Sequence, residues 1–241
     1  MTTINKDEIQ KFSNLADEWW DPNGKFKPLH MFNPTRIEYI LDEISKYFSL
    51  DKNKQFMLKN FEILDIGCGG GLMSEPMARL GGRVTGIDAA ERNIKIASLH
   101  SKKSKLNINY QNKSPEQMIE KEKYDIILNL EIVEHVDNLD LYLSSCYRLL
   151  KKNGLMFTAT INRTFISYIK AIVGAEYVLR WLPIGTHDWN KFIKPEELQK
   201  KLSDLNFTSQ NISGLNFNPF MNKWKKSQNL DVNYIICSSK N

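Results

Sequence analysis

What this 241-residue chain lacks narrows its class before any motif is considered. It has three cysteines, Cys68, Cys146 and Cys237, far apart and without a C-x-x-C pair. That points to a reducing compartment and no disulfide framework. No run of ~18 uncharged apolar residues occurs, so no transmembrane helix is expected. The opening MTTINKDEIQ is polar and mixed in charge, and carries no secretory signal. Neither sign of charge is in great excess. A net charge of +5 is too weak to argue for a nucleic-acid partner, though it is compatible with an anionic surface. There is no internal repeat and no low-complexity tract. What remains, with 41% apolar residues, is an ordinary globular composition with enough chain for one substantial core.

Periodicity then places the elements. Asn5 can cap a helix running to Trp20, with Glu8 three residues later and Ile9, Phe12, Leu15, Ala16 and Trp19 at helical spacing. The segment DPNGKFKPLH reads as a turn, and Asn33-Pro34 as the start of a second helix. From Phe61 onward strands alternate with helices. Strands are expected near 61–66, 83–88, 107–111, 124–130 and 154–161, and helices near 72–80, 91–104, 137–151 and 195–205. Pro76 disturbs the first of these helices unless that helix starts late. Such alternation implies an α/β fold, a largely parallel sheet with helices on both faces. Two last strands, near 208–216 and 232–239, have no helix between them and should form an antiparallel hairpin. The expectation is therefore seven strands.

The sheet's first strand runs straight into glycine: EILDIGCGGG, Glu62 to Gly71. A buried strand feeding a glycine turn that opens a helix is how such a sheet presents a cofactor pocket. The dinucleotide fingerprint requires its third glycine at position 72, which is Leu72, so a pyrophosphate site is not supported. Gly67, Gly69 and Gly71, with Asp65 before them, resemble instead the nucleoside-binding loop of class I methyltransferases. Asp88 ends the second strand 17 residues after Gly71. It can accept hydrogen bonds from two ribose hydroxyls, and it can equally cap the following helix. Leu130, at the end of the fourth strand, is placed to meet the cofactor's sulfonium and methionine part. Arg36 reads either as a solvated residue or as a bidentate clamp for a carboxylate.

After that strand come Glu131, Glu134 and His135. On a helical turn the two carboxylates share a face with the imidazole alongside. Three roles stand open: a divalent cation site, with hard oxygen ligands suited to Mg²⁺, His135 alone as general base, and a structural cap. No Asp-Pro-Pro-Tyr or Asn-Pro-Pro-Tyr follows the strand, so methylation of a base's exocyclic amine is not supported. Between Asn162 and Lys194 lies an apolar insertion, rich in Phe165, Ile169, Ile172, Tyr177, Leu179, Trp181 and their neighbours. Arg163, Ser167, Lys170 and Gly174 share one helical face, and Gly174 is expected to separate two short helices. The segment reads as an interfacial anchor or lid, or as a buried helical insertion.

The insertion VGAEYVLRWLPIGTHDWNKFIKPEEL, the early WWDPNGKFKPLHMFNPTRIEYI, DIGCGGG, EIVEHV and the final DVNYIICS together resemble the ubiquinone-biosynthesis O-methyltransferases over essentially the whole chain. The resemblance implies a Rossmann-like sheet with a terminal antiparallel hairpin and S-adenosylmethionine as methyl donor. It implies polyprenylated phenol or catechol acceptors, with two O-methylations served by one enzyme. It implies cofactor contacts at Arg36, Gly67, Asp88 and Leu130, where the family often has Met at 130. Metal dependence, with Mg²⁺, would attach to Glu131, Glu134 and His135. Residues 1–241 would form a single domain: a helical cap (1–50), a cofactor-binding core (61–161), the insertion (162–194) and a C-terminal helix and hairpin (195–241). The enzyme would be cytoplasmic, resting through 164–184 on the anionic inner face of the membrane, with other ubiquinone-biosynthesis proteins as further partners. Two rival readings are a methyltransferase for a soluble small molecule and a non-catalytic nucleotide- or lipid-binding protein.

Overall fold

The computed structural model describes residues 2–119, 121, 123–178, 188–218 and 221–241. The expected Leu179, Arg180, Trp181, Leu182, Pro183 and Ile184 of the insertion lie outside the described residues. Short apolar segments supply the central strands: β1 (Glu62–Ile66), β2 (Arg83–Asp88), β3 (Asn109–Asn112), β4 (Tyr124–Leu130) and β5 (Leu150–Ile161). All five are parallel, and the sheet continues through β8 (Asn233–Lys240), β6 (Phe207–Asn218) and β7 (Lys223–Ser227), each antiparallel to its neighbour. The order is β3-β2-β1-β4-β5-β8-β6-β7. Among the described residues the sheet thus has eight strands rather than seven. The extra one, β7, reads KWKKS, too polar to announce itself as a strand, and pairs with β6 as an edge. β6 also pairs with β8, so the terminal hairpin is broadened into three strands.

Helices cover both faces because the strands are apolar on both sides. Along β1, Ile63 packs toward α2 (Lys27–Phe48) and α3 (Ser74–Arg79). Leu64 and Ile66 face the layer of α5 (Leu139–Leu149) and α7 (Pro195–Asp204). A period of two therefore sends Asp65 to the α2–α3 side. α4 (Glu91–Lys103) follows β2.

Several boundaries differ from the sequence reading, among them the start of β5, which takes over from α5 at Leu150. The first helix, α1 (Lys6–Asn14), is capped by Asn5 as expected but stops before the tryptophans, and a separate turn forms at Ala16–Glu18. Trp19 and Trp20 leave the helix to reach separate partners on the glycine loop's side. α2 begins at Lys27 rather than Asn33, with Pro28 in its first turn and Pro34 inside it. Burial of Phe32, Tyr39, Ile40 and Ile44 outweighs the hydrogen bond that Pro34 cannot make. α3 does start late, which leaves Pro76 in its first turn. In the insertion, one turn, α6 (Phe165–Ser167), runs directly into a π-helix (Tyr168–Val178). Gly174 lies inside this run and does not divide two helices. Among the described residues no helix is long and apolar enough to cross a membrane.

Candidate active site

The strand order reverses between β1 and β4, and at such a point the loops leaving two adjacent strands part and open a crevice. The turn after β1 fills one lip. Gly67 and Gly69 have φ of +67° and +53°, a left-handed conformation that a side chain resists. A Cβ on Gly69 would also fall 2.3 Å from the indole of Trp19, and one on Gly70 2.4 Å from the Trp19 Cβ. The space left by these two glycines is thus occupied by the protein's own N-terminal segment. Trp20 adds a hydrogen bond from Nε1 to the Gly70 carbonyl (2.9 Å) and stacks on His100.

Asp88 braces this turn. Its Oδ2 accepts from the Gly69 amide (2.9 Å), and its Oδ1 accepts from the Ala90 amide (2.7 Å) and Asn93 Nδ2 (3.3 Å). Capping is therefore one of its roles, and acceptor capacity remains on Oδ2 for a further donor. Burial raises its pKa above the usual aspartate range. Asn93 was not singled out by sequence. It is buried, and while donating to Asp88 it accepts from Trp19 Nε1 (2.9 Å), tying the N-terminal segment to the end of β2. Asp65 accepts from Ser74 Oγ (2.6 Å), and burial pushes its carboxyl up to about 6.

The other lip follows β4. Glu131 has φ +56°, a strained conformation outside glycine, and this turns its carboxylate toward Arg36, with Nη1 to Oε1 at 3.3 Å. Arg36 is only 3% exposed, so it is no solvated surface residue. Asn33 Oδ1 accepts from its Nε (3.1 Å) and from Nη2, and its guanidinium lies 4.5 Å over the Phe32 ring. Asn33, read from sequence as a helix cap, instead serves to hold Arg36. Glu134 is buried and accepts from Thr160 Oγ1 (2.8 Å). Burial first, and then the neighbouring Glu131, hold its pKa well above the ordinary carboxyl range. Burial thus favours the protonated form of Glu134, while Glu131 is the group that meets Arg36.

His135 turns away from this pair. Its Nδ1 sits 3.0 Å from Glu8 Oε2 on α1, and its ring meets Phe12 edge-on at 5.3 Å. This contact holds the Glu8 carboxyl below its usual range. Val133–His135 form a tight 3₁₀ turn, so the three side chains do not share one helical face. Among the described residues no group of three or more His, Cys, Asp or Glu side chains is arranged to hold a metal ion. As they stand, Glu131, Glu134 and His135 do not fit a Mg²⁺ site.

One cavity of about 780 Å³ joins the two lips. Arg36, Asp65, Gly67, Asp88, Leu130, Glu131, Glu134 and His135 all reach it, whereas Gly69 and Gly71 act only through the turn. Its volume is in the range of small-molecule pockets. α1 roofs it with Glu8, Ile9 and Phe12. That roof is latched by Thr3, whose amide and Oγ1 donate to the two Glu116 carboxylate oxygens at 2.8 Å each, and by Asn5, whose Nδ2 donates to Asp137 (2.7 Å). The glycine turn, the acid Asp88 and the buried Arg36 are chemically suited to a ligand with a flat base, hydroxyl groups and a carboxylate, as S-adenosylmethionine has.

Residues 64–158 match the family model described as a methyltransferase domain. The ubiquinone biosynthesis O-methyltransferase of Pelagibacter ubique (strain HTCC1062) is 56% identical over 241 residues, covering 100% of both chains. The protein of the same name from Bartonella quintana (strain Toulouse) is 49% identical over 240 residues, 99% of this chain and 97% of that one. Among solved structures, magnesium protoporphyrin IX methyltransferase from Synechocystis PCC 6803 with bound SAH superposes with a TM-score of 0.64. It is 16% identical and covers 96% of this chain and 94% of that chain, a likeness of fold.

Proposed function

The chain belongs to the ubiquinone biosynthesis O-methyltransferases, and from that premise we propose how its cavity divides the work and which acceptors it takes. It is an S-adenosylmethionine-dependent O-methyltransferase of ubiquinone biosynthesis. Our reading is that it performs both O-methylations, on polyprenylated catechol-type acceptors. The observation that carries this reading is the continuous cavity from Asp88 and the glycine turn to Glu131, Glu134 and His135.

Bound S-adenosylmethionine supplies an electrophilic methyl group on a sulfonium. Arg36 holds the carboxylate end, Asp88 accepts from the ribose, and Leu130 packs beside the methionine part. The acceptor is a phenol of pKa ~10 and must lose its proton to become a strong nucleophile. His135 takes that proton. Glu8 beside Nδ1 favours the tautomer with hydrogen on Nδ1, leaving Nε2 free as base. Glu131 pairs with Arg36, and burial favours the protonated form of Glu134, so that Glu134 adds no unpaired buried charge beside the cofactor's place. Roofing by α1 would exclude water and limit how an acceptor lies against the methyl donor, an effect worth several kcal/mol in general.

The insertion supports a membrane-facing role. Phe165, Ile166, Tyr168, Ile169 and Val173 are exposed on consecutive turns, with Lys170 among them. An apolar patch of this kind suits the cytoplasmic face of an anionic membrane, where a polyprenyl tail lies. Arg163, expected beside Lys170 on that surface, is instead committed to Glu197 and to the Phe192 carbonyl. The deciding experiment follows labelled methyl from S-adenosylmethionine to a short-tailed catechol, with and without chelator. Methylated phenol in both arms supports His135 as base. Transfer abolished by chelator and restored by Mg²⁺ would require the acidic pair to rearrange around a cation. No transfer in either arm would return the chain to a binding role.

A further inference from the structure

The strand that sequence did not anticipate, β7, forms part of the cavity wall. Phe217 on β6 and Trp224 on β7 are directly paired across the strands, with ring centroids 5.6 Å apart. Trp224 in turn lies 4.2 Å from Phe32 of α2, whose other neighbour is Arg36 at 4.5 Å. Phe32, Phe217 and Trp224 all line the cavity, together with Leu215. An aromatic wall therefore leads from the Arg36–Glu131 pair out along the β6–β7 hairpin. Ile169 and Ala171 of the insertion line the same cavity. Lys170 and Lys225, which also reach it here, are exposed, and Asn216, Ser227 and Asn229 add uncharged polar groups beside the aromatic wall.

Proton removal from a phenol at His135 does not by itself call for such an extension. An uncharged chain attached to that phenol does need it, because every methylene left in water forfeits ~0.8 kcal/mol of transfer free energy. We propose that Phe32, Phe217 and Trp224 form a subsite for the acceptor's isoprenoid tail, and that the tail leaves the enzyme between the β6–β7 hairpin and the π-helix. This deepens the proposed function and rests on it. The occupant follows from continuity, because the wall belongs to the same cavity that holds the reacting groups.

The test is selectivity. Removing the indole should spare the strand, because β7 is pinned by its backbone and by lysine. Thr35 Oγ1 donates to the Trp224 carbonyl (3.1 Å), and Lys226 pairs with Glu38 (2.9 Å) and Asp42 (2.6 Å). For Trp224→Ala, kcat/KM is measured on a prenylated catechol and on a tail-less catechol. The ratio of the two is expected to fall about tenfold, the scale of one lost apolar contact, with most of it retained in Trp224→Phe. A ratio does not depend on the fraction of enzyme folded, so partial misfolding cannot imitate this result. An unchanged ratio in both Trp224→Ala and Phe217→Ala would overturn the subsite. Binding is measured in parallel with a prenylated phenol ether that has no free hydroxyl, and with its tail-less counterpart. Weaker binding of the prenylated ether alone by Trp224→Ala supports the subsite even if neither catechol is methylated, an outcome that would count only against the proposed function. Equal binding by wild type and variant counts only against the subsite.

Discussion

At one end of the cavity, Asp65, Gly67 and Asp88 sit on two adjacent strands and the turn between them and α3. At the other end, the acceptor's surroundings come from α1, the 3₁₀ turn after β4, the insertion and the β6–β7 hairpin, four segments spread from Glu8 to Trp224. The cofactor end is held by backbone: Cys68 N to Ile87 O at 3.0 Å, and Asp88 to the Gly69 and Ala90 amides. The acceptor end is held by side chains reaching across the fold, such as Glu8 to His135 and Thr3 to Glu116. A site made of backbone survives many substitutions, and a site made of remote side chains can be retuned one residue at a time.

That contrast can be broken or sharpened by experiment. The largest effect is expected at the acceptor end, where His135→Ala should lower kcat by roughly 10²–10⁴ as a missing general base does. Calorimetry should find S-adenosylmethionine affinity unchanged, and adding Glu134→Gln should cost little more if the groups act as a unit. Loss of cofactor affinity in His135→Ala would merge the two ends into one. At the cofactor end, Asp88→Asn should weaken S-adenosylmethionine by about one to two orders of magnitude, the scale of hydrogen bonds to a charged acceptor. Unchanged affinity would remove Asp88 from the ribose.

A smaller effect concerns the surface. Wild type should pellet with anionic vesicles and less so at high salt, while Phe165→Glu with Ile169→Glu should stay in the supernatant. Equal pelleting of both proteins would show that the insertion does not carry the attachment.

The smallest effect is on stability. Glu134 has a raised folded pKa, so above the unfolded carboxyl value the unfolded chain has released a proton that the folded chain retains. Its contribution therefore opposes folding increasingly as pH rises from about 4.5 toward the folded pKa. Glu134→Gln should flatten that decline. A melting curve with the same pH dependence in both proteins would mean that Glu134 ionises freely.

Legibility follows the same division. Strands β1, β2 and β4 were readable within a residue or so, since apolar runs bounded by glycine and charge have few other solutions. The glycine turn and Asp88 were readable because their spacing is local. Asn93 left no signal, as one polar residue on a helix full of them. Asn33 carried a misleading one, because Asn-Pro is a helix-start pattern and tertiary packing, such as that of Phe32 on Trp224, carries α2 past it. β7 was hidden by its lysines, which an edge strand tolerates and a central strand does not.

By itself the sequence determined the alternating order of strands and helices, the glycine turn and the acids spaced to follow it, because these depend on backbone preferences and periodicity over a few residues. Tertiary structure alone decided that Trp19 fills the space over Gly69, that His135 faces Glu8 rather than Glu134, and that Arg36 is buried against Glu131. Those pairings join residues from 50 to 127 positions apart. No local pattern encodes them, since each side chain's orientation is set by the packing of elements that meet only when the sheet has closed on its helices.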